Sequence, residues 1–354
     1  MEDVRGYDIS SSHLGFILRK KYPSTEARKV EGNEVFKILD KDWYAWIGEF
    51  EFIGLKEKIK LPIDLRKFGY LNDDDNWVLI LTNAHWSAFK RLFGCEKVIP
   101  RNFFCFENKE LQRNYAKMAN TLYEEKEHYK KNPDHYVSSI FKFRTELPFG
   151  QSIKNPVWHW TVYRDEEKNE FIREQVEEPT FEELISRIKK SALPMQVGIW
   201  TAAYSWAEEV NMILDLGPEN VVYGDTDCVK FINKVELVDI IEKHNKEIDK
   251  EVKIISNKRK MLETNLKIGR WKDEGVFTQF KAIGVKWYLF NSEKGLEVKA
   301  AGADNKILIN WLKEQDNPFE EFTKEMCVPK LFKNVSINRE KKTVYISYNN
   351  YMGD

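Results

Sequence analysis

Covalent cross-linking has little to work with in this chain: its 354 residues hold four cysteines, Cys95, Cys105, Cys228 and Cys327, with no C-x-x-C pair and no histidines at zinc spacing. A disulfide framework and a structural zinc site are excluded, and the thiols read as reduced, mostly small core residues of a cytosolic protein. No run of eighteen apolar residues is present, so no membrane-spanning helix is expected, and the first twelve residues lack the apolar stretch of a signal peptide. Internal repeats, low-complexity tracts and Gly/Ser linkers are missing as well, which rules out a repeat array. Nor does one sign of charge dominate: 56 basic residues against 57 acidic ones leave −1, unlike the strongly basic domains of many nucleic-acid binders. What is there, 42% hydrophobic and 32% charged residues, describes a globular protein able to bury the core of one multi-lobed enzyme or two domains.

The most informative stretch is Tyr223-Gly224-Asp225-Thr226-Asp227-Cys228, a turn sequence between the apolar runs 220–222 and 229–232. It predicts a β-hairpin. Gly and Asp favour turns for backbone reasons alone, and that reading stays open here. Side chains two residues apart in an extended segment share a face, however, so Asp225 and Asp227 are also placed to hold divalent cations, which take hard oxygen ligands. Between Lys253 and Lys306 basic residues outnumber acidic ones 12 to 6, with Trp271, Phe277, Phe280, Trp287 and Tyr288 interleaved. Such a patch suits phosphate contacts, although a solvated face of a packed domain reads equally well.

Periodicity places the other elements. Strands are expected over Gly6–Ile9 and over the alternating run Trp46–Ile53, both in one sheet. A charged helix from Glu110 to Lys131, with Leu111, Tyr115, Met118 and Leu122 at helical spacing, is broken at Asn132-Pro133, and a second follows from Asp134 to Leu147. On that second helix His135, Ser138, Lys142, Thr145 and Phe149 share one stripe, and Pro148 is expected to kink it. Trp158–Val162 and Glu170–Val176 form a second hairpin around the polar 164–169, and Thr180-Phe181-Glu182-Glu183 opens a capped helix.

The hexad as a whole resembles motif C of the family B DNA polymerases, usually Tyr-Gly-Asp-Thr-Asp-Ser, with Cys228 in the last position. Gly6-Tyr7-Asp8-Ile9-Ser10-Ser11-Ser12-His13-Leu14 is similar to motif A, an Asp ending a strand, with His13 where the family has Tyr. Lys142 to Gly150 is similar to motif B: Lys142 and Gly150 match, Phe149 stands for Tyr, and Glu146-Leu147 replaces Asn-Ser. Gly284-Val285-Lys286-Trp287-Tyr288 resembles the Lys-x-Tyr signature. The four occur in family order. Pro194-Met195-Gln196-Val197 and Val298-Lys299-Ala300-Ala301-Gly302 bring the likeness closest to the protein-primed polymerases of tailed phages, over nearly the whole chain.

The resemblance implies an α+β fold: a right-hand polymerase with an antiparallel palm sheet, two-helix fingers and a small thumb. The expected parts are an N-terminal palm portion over 1–107 with an insertion at about 77–107, fingers over 108–150, a hairpin-helix insertion over 151–193, the motif C palm portion over 194–265 and a thumb over 266–354. It implies template-directed nucleotidyl transfer from dNTPs to a primer 3′-hydroxyl, with Asp8, Asp225 and Asp227 catalytic. Asp8, Asp227, Asp225 and the Ile9 carbonyl are the expected ligands of two Mg²⁺ ions, with Mn²⁺ as the alternative. Ile9, Ser11, Ser12, His13, Lys142 and Phe149 are the expected nucleotide-binding residues, and Lys286, Tyr288 and Lys299 the expected DNA-binding ones. Primer–template DNA and dNTPs are the partners, with a priming protein a further candidate and no membrane. Only seven residues precede Asp8, where the family carries a 3′-5′ exonuclease domain, so two expectations stand side by side: proofreading by a separate exonuclease subunit, or an enzyme that works without proofreading. A viral source would place the protein in the cytoplasm of an infected bacterial host.

Departures from the family pattern cluster at the nucleotide pocket. The family's Tyr in motif A packs under the sugar and excludes a 2′-hydroxyl; the smaller His13 admits one. Tyr204 and Ser205 stand where a template-contacting Arg is expected. Two other readings follow: a polymerase-derived nucleic-acid-binding or scaffold module of weakened activity, and a nucleotidyltransferase with relaxed sugar or template choice.

Overall fold

The computed structural model describes residues 1–61, 63–153, 160–165, 170–175, 180–189, 194–258, 267–328, 335–338 and 343–346. They fall into two compact units, one of residues 1–8, 212–243 and 271–354, the other of 9–211 and 244–270.

The first unit is built on a six-stranded sheet in the order Val221–Asp225, Cys228–Ile232, Glu2–Ile9, Trp271–Gly284, Trp287–Ser292, Gly295–Ala300. The hairpins at 221–232, 271–292 and 287–300 are antiparallel. Val4, Phe277, Phe280 and Phe290 pack together on it. A second cluster joins Leu289 and Val298 to Leu308 and Leu312 of the helix Asn305–Lys313. That helix starts where it does because the Asp304 carboxylate accepts from the N–H groups of Lys306 and Ile307 at 3.0 and 3.2 Å. Each fully buried Leu or Phe contributes about 1.5–3 kcal/mol.

The second unit contains a sheet in the order Lys21–Pro23, Lys97–Glu110, Tyr44–Ile53, Trp77–Thr82, Gly69–Leu71, with Arg28–Lys29 also pairing on Lys97–Glu110. Strand alternation does the work in Tyr44–Ile53: Trp46, Gly48, Phe50 and Phe52 turn inward while Ile47, Glu49, Glu51 and Ile53 turn outward. Trp46 and Phe50 meet Trp86 of the helix Asn83–Leu92 at 5.8 and 6.0 Å between ring centroids. Two further helices, Arg113–Tyr129 and His135–Ser152, form an antiparallel hairpin in which Glu125 pairs with Arg144 at 2.9 Å and Tyr129 stacks on Phe141 at 3.9 Å. The helix runs on through Pro148 to Ser152, so the expected stop near Leu147 is five residues too early. Strands Trp160–Asp165 and Glu170–Gln175 pair antiparallel as expected; Trp158, His159, Val176 and the turn 166–169 lie outside the described residues. Helix Phe181–Lys189 carries its capping box: the Thr180 N–H donates to Glu183 at 2.9 Å and the Glu183 N–H to the Thr180 hydroxyl at 3.3 Å. Among the described residues no helix is long and apolar enough to cross a membrane.

Strand partnership departs from the sequence reading in two places. Tyr44–Ile53, expected beside Gly6–Ile9, lies in the other sheet, where Trp77–Thr82 and Lys97–Glu110 of the expected insertion flank it. The strands at 271–300, expected in the thumb, belong to the sheet of Glu2–Ile9. A period of two shows that a segment is a strand and which face is buried, but long-range pairing is chosen by the core it completes.

His85 makes part of the second unit acid-sensitive. Its Nδ1 accepts from the Thr82 N–H at 3.1 Å, which requires the neutral ring, and burial pushes its pKa down to about 4. The folded state therefore binds fewer protons than the unfolded one between about pH 6.5 and 4. Stability is complete above the ordinary histidine value and falls by up to about 1.4 kcal/mol per pH unit through this window. His85→Gln, which restores a capping residue without a titrating ring, is expected to flatten the drop in melting temperature between pH 6.5 and 4. An unchanged pH profile would contradict this assignment.

Candidate active site

In the first unit the strand Glu2–Ile9 places Asp8 opposite Cys228, and Cys228 lies opposite Asp225. Two carboxylates thus flank one residue across three neighbouring strands, their Cα atoms roughly 10 Å apart. Thr226 and Asp227 close the hairpin. Thr226 has φ 61°, a left-handed conformation that costs a β-branched residue on the order of 1–3 kcal/mol. Strain of this kind is commonly retained at functional sites. The Asp227 N–H donates to the Asp225 carbonyl at 2.7 Å, so Asp227 belongs to the turn rather than to an extended run. The same-face spacing inferred from the sequence therefore does not describe how these two carboxylates are related.

Asp225 is engaged on both oxygens: Thr226 Oγ1 donates to Oδ1 at 2.9 Å and Tyr223 Oη to Oδ2 at 3.3 Å. Tyr223 Oη in turn accepts from the Lys286 N–H at 2.9 Å. One phenol therefore ties the carboxylate hairpin to the turn that carries Lys286, itself at φ 56°. The Tyr288 ring lies 5.1 Å from that of Tyr223, and Tyr288 sits directly opposite Lys299. Burial pushes the Cys228 thiol up to about 12, which keeps it neutral.

Among the described residues no group of three or more His, Cys, Asp or Glu is arranged to hold a metal ion. Mg²⁺ is usually held by one or two carboxylates together with substrate phosphates rather than by an all-protein cage, and Asp8 and Asp227 are donors of that type.

In the second unit the residues after Ile9 form a loop and a helix start. Ser11 is left-handed, at φ 49°, and the helix Ser12–Arg19 begins after it. The first-turn N–H groups of a helix favour an anion. Lys126, from the first helix of the helical hairpin, donates to Ser11 Oγ at 2.7 Å. Ser12 is 4% exposed, and its hydroxyl has no hydrogen-bond partner among the described residues. His13 stacks face to face on Phe149, with ring centroids 3.7 Å apart and planes at 13°. Burial pushes His13 down to about 4, so the ring is neutral at pH 7. The structure thus brings together two of the expected nucleotide residues, His13 and Phe149, which are 136 positions apart in the sequence.

Lys142 is exposed, two turns before Phe149 on the same helix. Where a template Arg was expected, Tyr204 donates to the Lys21 carbonyl at 2.7 Å and Ser205 is buried. Sequence reasoning missed Lys126 and Tyr223. The helix holding Lys126 carries many charged residues outside its apolar stripe, which hides one lysine among them; Tyr223 stands out in the sequence only as a member of its motif.

No protein-family model matches this sequence, and no curated protein does. Solved structures do match. Phi29 DNA polymerase complexed with primer–template DNA and incoming nucleotide substrates superposes with a TM-score of 0.64 at 16% identity, covering 91% of this chain and 53% of that one. The post-translocation binary complex of the same enzyme gives 0.62 at 17%, and its complex with single-stranded DNA 0.63 at 18%, with the same coverage. The chain spans about half the length of these structures, and the likeness establishes a polymerase-like fold.

Proposed function

We propose that this chain is a template-directed DNA polymerase that transfers nucleotides from dNTPs to a primer 3′-hydroxyl. The observation that carries the reading is the strained Asp225–Cys228 hairpin with Asp8 on the adjoining strand, because clustered carboxylates are costly unless they have a chemical use. Asp8 and Asp227, with the Ile9 carbonyl and assisted by Asp225, would hold two Mg²⁺ ions, or Mn²⁺. When bound, such ions supply charge stabilisation at the attacking and leaving oxygens.

The chain's own residues do the rest. Ser11, Ser12, Lys126 and Lys142 take the triphosphate; His13 and Phe149 form the walls for sugar and base; Lys286, Tyr288 and Lys299 hold the primer–template. In this reading the helical hairpin serves as fingers and the sheet with Asp8 as palm. Primer–template DNA and nucleotides are present in the neighbouring structures, which supports both as partners, and a priming protein is a further one. The neutral, stacked His13 favours one second reading, a polymerase with relaxed sugar choice.

Primer extension with Mg²⁺ and either dNTPs or rNTPs, on templated and untemplated primers, tests these readings: extension confined to templated primers is expected, and no extension under any condition would leave a binding module. Lys126→Ala is expected to raise the nucleotide KM roughly tenfold or more through loss of a charged phosphate contact, with primer–template affinity unchanged. An unchanged KM would remove Lys126 from the pocket.

A further inference from the structure

The carboxylate face of the six-stranded sheet carries an ion pair with a buried lysine that the proposed chemistry does not use. Gly6 pairs with Lys230 just as Asp8 pairs with Cys228, and residues two apart in a strand share a face. Lys230 is 1% exposed; its ammonium pairs with Glu274 and lies 5.8 Å from the centre of the Phe277 ring. Only glycine at position 6 admits this side chain: a Cβ there would meet Phe277 Cε2 at 2.8 Å and Lys230 Cδ at 2.9 Å. Burying an ammonium costs several kcal/mol that its partner only partly offsets, and an apolar pair of similar volume usually serves stability as well. The arrangement therefore calls for another explanation.

A cavity of about 340 Å³ lies over the pair, lined by Lys230, Glu274, Phe277, Tyr288, Lys294 and Lys299. Within it Glu274 is anchored at one end and open at the other: the Lys230 side chain is 2% exposed and that of Glu274 41%. Asp8 lies two residues from Gly6 on the same face of one strand, and Gly6 pairs with Lys230 of the lining, so the cavity opens on the face of the sheet that carries Asp8. Its chemistry is specific. Beside the carboxylates Glu293 and Glu297, Lys294 and Lys299 of the lining suit a phosphate and the aromatic rings suit the apolar face of a sugar, but a carboxylate such as Glu274 needs a hydrogen-bond donor. The backbone of a DNA strand offers acceptors along its length, and its donor is the hydroxyl at the 3′ end.

We propose that this cavity seats the 3′-terminal sugar of the primer strand, with Glu274 accepting a hydrogen bond from the 3′-hydroxyl and Lys230 acting as the positioning residue that fixes Glu274. The inference rests on the polymerase reading above and adds to it a contact with the reacting hydroxyl made by protein alone.

The test is equilibrium binding of the full chain, in EDTA so that no metal contributes, to two primer–template duplexes that differ only in a 3′-hydroxyl or a 3′-deoxy end. The wild-type chain is expected to prefer the hydroxyl end roughly tenfold or more, as for a hydrogen bond to a charged group. K230M/E274L, which replaces the buried lysine and its half-exposed partner by apolar side chains, is expected to bind both ends at the weaker affinity with a similar melting temperature. Glu274→Gln, which keeps the shape and a neutral acceptor, is expected to show a reduced preference and decides the matter if the double variant does not fold. Equal wild-type affinity for the two ends, or an undiminished preference in the variants, overturns the proposal. Tight duplex binding without an end preference fails this inference alone; no duplex binding at all fails the polymerase reading and the inference with it.

Discussion

Asp8→Ala or Asp227→Ala abolishes primer extension, by roughly a thousandfold or more, while primer–template affinity stays close to that of the unaltered chain. The expectation follows from what each carboxylate would do. A hard divalent cation needs anionic oxygen, and loss of a ligand removes several kcal/mol of charge stabilisation that exists only in the transition state. Under the proposed function duplex binding rests instead on Lys286, Tyr288 and Lys299, which these substitutions leave in place. Asp225→Ala should cost less, because both Asp225 oxygens already accept hydroxyl donors from Tyr223 and Thr226. Single-turnover incorporation measured beside duplex affinity checks all three variants. Near-normal rates in Asp8→Ala or Asp227→Ala would dismantle the site.

His13→Tyr raises the preference for deoxyribonucleotides over ribonucleotides roughly 10- to 200-fold, the range that small changes of bulk in a pocket supply. His13 stacks flat on Phe149, so a change of bulk at position 13 acts on both rings. Its imidazole is neutral at pH 7, since burial holds its pKa at about 4, and it offers a 2′-hydroxyl both a donor and an acceptor. A phenol ring at this position adds bulk and pushes its polar atom outward. The ratio of incorporation efficiencies for matched dNTP and rNTP pairs is the readout, and an unchanged ratio would put His13 outside the sugar pocket.

Local structure was legible in the sequence where local rules decide it. The helical hairpin followed from apolar spacing and Asn132-Pro133, the 221–232 hairpin from Gly-Asp between apolar runs, and the Thr180 capping box from side chains three residues apart. The helix end expected at Leu147 falls too early: the helix continues through Pro148 to Ser152, keeping Phe149 in helical register. Sheet membership was not legible, because the alternation in Tyr44–Ile53 reports a buried face and not the neighbour. The candidate site was legible by residue type at His13, Phe149 and the carboxylates, yet not in its connections. That Lys126 reaches Ser11, that Tyr223 ties the carboxylate hairpin to the Lys286 turn and that Gly6 makes room for Lys230 are contacts between residues 63 to 224 positions apart, which no local pattern announces.

The central claim is most directly tested by single-nucleotide incorporation, with each of the four dNTPs presented in turn against each of the four template bases at a fixed primer end, in Mg²⁺. The account predicts that each template base directs addition of its complement alone, and that Asp227→Ala adds none. Addition that ignores the template base, or no addition by the unaltered chain against any base, would contradict it.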